Sequence, residues 1–277
     1  REGRQPGRRL VGETLMLPHY EVHDGDGPYL LLLHGMLSSR AQWMLNVAAL
    51  TEFCRPVVME LFAHGRSPSP EDPQAYHPDS YLRTFERIRR ELGVERWFVC
   101  GQSFGAGLTL RYALEHPERV VAQIFTNSSS ALADAEMVAA YRDNSENRAR
   151  AMEQGGHDFI AELPIHPARA RRLPVEVRDA LVRDTELLDP AGLARAFRHS
   201  SPHLSVRERI GENVVPTLLV CGEREERFAG SRQFAEANMP ELTVVGADAG
   251  HAVNIEAADV FNQAVADLIQ RHGGAVE

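Results

Sequence analysis

Residues 99–107 read VCGQSFGAG: an apolar run, a glycine, Gln102, Ser103, Phe104, a second glycine, then helix-forming residues. A serine hydroxyl attacks poorly unless a base removes its proton. A histidine held in one tautomer by a carboxylate is such a base, and the sequence offers both. His251 stands in GADAGHAVNIE, and Glu225 in GEREERF. Glu226 is the adjacent second candidate for the acid. Asp248, three residues before His251, is badly placed to reach around and orient the ring. The order serine, acid, histidine puts each group just past an apolar run, so distant side chains can converge. G-x-S-x-G alone is a weak signal; between a strand and a helix it is informative. The turn is then tight enough to strain the serine, and Gly101 and Gly105 remove the neighbouring clashes. The helix that follows aims its first N–H groups at the same spot, which favours developing negative charge.

Those residues need a sheet to present them. Tyr29–Leu33, Pro56–Met59, Trp97–Cys100 and Thr217–Cys221 are short apolar runs without alternation, as expected of strands covered on both faces. Val121–Thr126 and Leu242–Val245 are two more. Ahead of them, Glu13–Leu17 and Tyr20–His23 suggest a leading antiparallel pair ending at the turn-rich DGDGP. Helical patterns fall between the strands. Tyr81, Phe85, Ile88 and Leu92 share one face, Phe104–His116 is stopped by Pro117, and Val260 to Ile269 is amphipathic. Alternating strands and helices predict an α/β fold with a mainly parallel sheet and helices on both faces. From Ser128 to about Val214 no strand is legible, and prolines at 164, 167, 174, 190 and 202 separate short helical patterns. Residues 128–214 therefore read as a helical cap inserted into a core made of 1–127 and 215–277.

Composition bounds the partners. The 277 residues carry a net charge of −9 with the two signs interspersed, so no basic stripe for nucleic acid is present. No apolar run approaches the roughly 18 residues of a membrane span. Cys54, Cys100 and Cys221 are odd in number, lack metal-type spacing and suit a reduced core. They favour a cytoplasmic location. The chain begins at Arg1 rather than Met, so an upstream segment is expected to be missing, and Arg1–Arg9 reads as a frayed terminus.

Further motifs accompany the serine turn. LLLHGMLSSRAQW, MELFAHGRSPSP, LEHPERV and AGHAVNIEAADVFN occur in this order along the chain. With the elbow they make the chain resemble the α/β-hydrolase superfamily across about residues 13–272. The resemblance implies an eight-stranded sheet, Ser103 as nucleophile, and His251 as general base and then acid. It implies an oxyanion hole from the backbone N–H groups of Met36 and Phe104. His34 and His64 would brace turns. Two positions depart from the family pattern. Its usual acid is Asp, whereas the register here gives Glu225, with Glu226 beside it. Some members place the acid after the preceding strand, where this chain has the neutral Asn127. The second departure is Glu60 for the Asp of the D-x-x-G-H-G loop, with Ala63 at its glycine.

The activity implied is a carboxylesterase-like serine hydrolase acting on small carboxylic esters or related acyl compounds, with no cofactor and no metal. Nucleic acid and membranes are not expected partners. Leu37, Phe228, Met137, Phe159 and Ile160 are candidate pocket residues. A carbon–carbon hydrolase of ring-cleavage ketoacids and a non-catalytic ligand-binding protein are the alternatives. Menaquinone-pathway lyases of the superfamily carry an arginine four residues after the serine, where this chain has Gly107.

Overall fold

The apolar runs become strands because both of their faces are covered. The computed structural model describes residues 16–275. Among these are seven strands: β1 (Tyr20–Val22), β2 (Tyr29–Leu33), β3 (Arg55–Met59), β4 (Trp97–Gly101), β5 (Val120–Thr126), β6 (Thr217–Gly222) and β7 (Leu242–Ala247). The described α-helices are α1 (Val47–Leu50), α2 (Pro78–Glu91), α3 (Phe104–Glu115), α4 (Ala135–Glu162), α5 (Val175–Asp184), α6 (Pro190–His199), α7 (Ala229–Asn238), α8 (Val253–Glu256) and α9 (Ala258–His272). The strand order is β1-β3-β2-β4-β5-β6-β7. Among the described strands only the β1–β3 pairing is antiparallel.

Of the expected leading pair, the second member forms: Tyr20–Val22 pairs antiparallel with β3. Met16 and Leu17 are outside any strand. Residues 13–15 and the segment Arg1–Arg9 lie outside the described residues. The sheet has seven described strands, where the resemblance implied eight.

Successive strand residues face opposite ways, and the two sides build separate cores. Leu31, Leu33, Met59 and Val99 pack with Tyr81, Phe85 and Ile88 of α2 and with Leu108 and Tyr112 of α3. On the other side Leu30, Leu32, Phe98 and Cys100 meet Phe261, Val265 and Leu268 of α9. All three cysteines are buried and unpaired. No helix among the described residues is long and apolar enough to cross a membrane.

Between β5 and β6 the chain forms α4, α5 and α6 and, among the described residues, no strand. α4 bends at Gly156, whose φ is 55°. Its Met152 and Ile160, with Leu193 and Phe197 of α6, join the same cluster as Leu31 and Leu33. α5 packs differently, setting Val177 and Leu181 against Ala41 and Ile255.

Parallel registry aligns the strand ends that matter. Leu33 of β2 lies opposite both Met59 and Gly101, so the loop at Gly35 and the turn at Ser103 leave the sheet side by side. That closeness needs glycine. A Cβ on Gly105 would lie 2.6 Å from the Leu33 carbonyl oxygen and 2.8 Å from that of His34. Gly105→Ala is expected to destabilise the fold by about 2 kcal/mol through overpacking against backbone, read as a lowered thermal midpoint.

Candidate active site

Ser103 joins β4 to α3 at φ 51° and ψ −110°. A non-glycine residue in such a region costs about 1–3 kcal/mol and persists only where its surroundings enforce it. Here they do. A Cβ on Gly101 would fall 2.3 Å from the carbonyl carbon of Gly105, so only glycine allows the chain to fold back on itself. The Gln102 N–H donates to the Leu33 carbonyl oxygen at 2.9 Å. The Ser128 hydroxyl donates to the Ser103 carbonyl oxygen at 2.6 Å. Phe104 begins α3, so its N–H has no carbonyl of a preceding turn to bond.

The loop after β2 presses against this turn. A Cβ on Gly35 would sit 3.1 Å from Ser103 Cβ and 2.4 Å from Gln102 Oε1. Two buried histidines hold the loop. His34 Nε2 accepts the Leu61 N–H at 3.1 Å, and His64 Nε2 accepts the Leu37 N–H at 3.2 Å. A nitrogen that accepts must carry a lone pair, so each proton is on Nδ1. These donate to the carbonyl oxygens of Gly35 at 2.7 Å and Phe62 at 2.9 Å. Burial pushes the His34 pKa down to about 4. Burial, with the neighbouring His34 ring, pushes that of His64 down to about 3. Both rings are neutral, which is the state this pattern requires. Leu37, held this way, has φ 57°.

The unusual turn at Glu60 also forms. The carboxylate is fully buried and accepts the N–H groups of Arg40 at 3.2 Å and Arg66 at 2.8 Å. Ala63, at the family's glycine position, has φ 65°, a strain that a glycine would not carry.

His251 lies in the loop after β7, and its Nδ1 is 2.9 Å from Glu225 Oε2. Glu225 follows β6, and the same oxygen accepts from Asn127 Nδ2 at 2.9 Å. Burial opposes ionisation of Glu225, but the hydrogen bond and charge of His251, with Asn127, outweigh it and hold its pKa below the ordinary value. Glu226 is exposed and starts a short 3-10 turn. Asp248 is exposed and bonded to the Arg224 guanidinium. Of the acids considered, Glu225 is therefore the one brought to the ring.

Sequence reasoning set Asn127 aside because it is neutral. Fully buried at the end of β5, it clamps the acid instead: its Oδ1 takes the Gly222 N–H at 2.9 Å, and its Nδ2 bonds both the Gly222 carbonyl oxygen and Glu225. A signal existed in its place one residue beyond a strand end, beside the strand that delivers the acid.

Ser103, His251, Met36 and Leu37 line one cavity of about 450 Å³. Among the described residues no hydrogen bond joins the Ser103 hydroxyl to the His251 ring, whose side chain is 48% exposed. Such bonds are often long in unliganded enzymes and tighten with substrate. A larger cavity, about 880 Å³, lies beside the start of α4, and none of the candidate catalytic residues lines it.

The other pocket candidates lie elsewhere. Phe228 is buried with Phe125 and Leu219. Ile160 is buried in the main cluster and Phe159 packs against it, because α4 turns that side toward the sheet. Met137 is half-buried near the start of α4 and does not reach the cavity. The apolar wall comes instead from Ile165, Leu173 and Leu181, residues that sequence reasoning did not single out.

A parallel sheet with a strained serine turn at a strand's carboxyl end, and a histidine–carboxylate pair on neighbouring loops, defines a recognisable class. The family model for the alpha/beta hydrolase fold matches residues 28–152. A solved structure of MenH from S. aureus superimposes with a TM-score of 0.81 at 20% identity, covering 92% of this chain and 98% of that one. A Bacillus subtilis protein provisionally named 2-succinyl-6-hydroxy-2,4-cyclohexadiene-1-carboxylate synthase is 24% identical over 90% of this chain and 94% of its own. Carboxylesterase YbfK of the same organism is 22% identical over 88% and 81%. The chain has the α/β-hydrolase fold, and the family model for that fold matches its first half.

The buried histidines give a pH dependence of known sign. Their folded pKa values lie below the unfolded value of 6.5, so the unfolded chain binds protons first. The stabilisation is complete above about pH 6.5 and is lost as pH falls toward 4 and 3, by about 2 kcal/mol per histidine at pH 5. Denaturant melts between pH 7 and pH 5 should show the loss, and His64→Gln should remove about half of it. Asn127→Ala leaves the Gly222 N–H unpaired, and is expected to cost about 2 kcal/mol of stability and about tenfold in kcat, read by melting and steady-state kinetics.

Proposed function

We propose that the protein is a serine hydrolase that cleaves carboxylic esters or related acyl compounds through an acyl-enzyme. One observation carries this reading: Ser103, held at positive φ, shares a cavity with His251, whose Nδ1 lies 2.9 Å from Glu225. With Nδ1–H donated to the carboxylate, Nε2 keeps a lone pair for the serine proton.

Ser103 Oγ attacks the acyl carbon as its proton passes to His251 Nε2. The carbonyl π electrons move to oxygen, and the N–H groups of Met36 and Phe104 stabilise that charge, one such donor contributing about 3 kcal/mol. The tetrahedral adduct collapses, and the departing alcohol takes the proton from His251. Water then attacks the acyl-enzyme carbonyl, giving its proton to His251. The acid leaves, and the proton returns to Ser103. Glu225 stays ionised throughout and stabilises the imidazolium. Residues 128–214 act as a cap that narrows the cavity.

The ester reading is favoured over the lyase reading by position 107. A Cβ on Gly107 would lie 2.4 Å from Leu204 Cγ, so an arginine has no room there. A fluorophosphonate should label the wild type at Ser103 and leave Ser103→Ala unlabelled; an unlabelled wild type refutes the nucleophile. On p-nitrophenyl esters, Glu225→Gln should lose about three to four orders of magnitude in kcat, while Glu226→Gln stays near wild type. Turnover of a dienol ketoacid without ester cleavage would favour the carbon–carbon hydrolase.

A further inference from the structure

The cavity beside Ser103 is basic within an acidic protein. The whole chain carries a net charge of −9, yet Arg169, Arg171 and Arg172 line this cavity and, among the described residues, the only carboxylate in its lining is Glu256. All three arginines belong to the stretch between α4 and α5.

Their present partners leave much of that charge unanswered. Glu256 Oε2 accepts the Gly250 N–H at 2.8 Å and lies 3.9 Å from Arg172 Nη1, a loose pair whose carboxylate is shared with the backbone. Arg169 Nη1 donates to the Ala161 carbonyl oxygen at 2.7 Å, which orients it without neutralising it. Arg171 makes no ion pair among the described residues. A guanidinium offers a planar fork of donors that matches a carboxylate in two-point contact. Met36, Leu37, Ile165 and Leu173 supply apolar surface in the same space. The lining thus suits a molecule with a short apolar chain and an anionic end.

We propose that the acyl group of the substrate carries a second carboxylate, remote from the scissile carbonyl and recognised by Arg171 and Arg172. The inference rests on Ser103 being the nucleophile. The apolar wall receives the chain, Arg171 anchors the carboxylate, and Arg172 moves from its loose contact with Glu256 to share it. The reaction itself is unchanged, and its product is a dicarboxylic acid.

The test compares two esters of equal acyl length, p-nitrophenyl valerate and mono-p-nitrophenyl glutarate. The ratio of kcat/KM, glutarate over valerate, should exceed about ten at low salt and fall as salt screens the charges. The double variant Arg171→Gln/Arg172→Gln should lower that ratio at least about tenfold. A double variant with the same charge change on helices away from this cavity, Arg150→Gln/Arg232→Gln, should leave the ratio unaltered. A ratio near one in the wild type, or an equal drop in both double variants, overturns the proposal. Calorimetry on Ser103→Ala gives a readout separate from turnover. Glutarate should bind Ser103→Ala, and binding should vanish when the Arg171 and Arg172 changes are added; no binding, or binding that survives them, overturns the proposal. If neither ester is cleaved but glutarate binds in this arginine-dependent way, the hydrolysis reading fails and the anion site stands.

Discussion

A serine cannot rest at φ 51° by its own preference, and the rest of the site follows from how this chain enforces that conformation. Two parallel strands end level with one another, so their loops must share space. Gly35 and Gly105 make the sharing possible by having no side chain, and Gly101 lets the elbow close on itself. Backbone hydrogen bonding from Gln102 and the hydroxyl of Ser128 fix what is left. The result points a polar residue out of a packed interior, at the end of a helix whose free N–H groups face the same way.

Around that turn, buried polar groups are used in complementary pairs. His34 and His64 each accept one backbone N–H and donate to one carbonyl, which a protonated ring could not do. Asn127 does the equivalent between β5 and β6, where its amide satisfies both backbone groups of Gly222 and still reaches Glu225. In a low-dielectric interior such complete pairing gives rigidity, whereas one missing partner is costly. The loops that carry Glu225 and Met36 are therefore held by side chains that line no part of the cavity beside Ser103.

Much of this was legible in the residues. Unalternating apolar runs marked six strands because both faces of a parallel sheet are covered, and their ends shift by only a residue or two in the fold. The positions of Ser103, Glu225 and His251 relative to those strands could be read as well. What could not be read depends on contacts between distant segments. Asn127 gains its importance only when β5 and β6 lie side by side. Phe228, Phe159 and Ile160 are apolar in the right part of the sequence, but helix rotation and core packing turn them away from the cavity.

The helices between β5 and β6 are anchored unequally. α4 and α6 share their apolar cluster with the sheet, so altering their inward faces disturbs the folding core of the whole protein. α5 and the stretch before it lean on a small separate cluster with Ala41 and Ile255. Substitutions there are cheap in stability, because few buried neighbours must readjust. This stretch also carries part of the cavity wall. The fold thus separates a stiff frame from a replaceable facing, whose side chains can change without endangering the scaffold behind them.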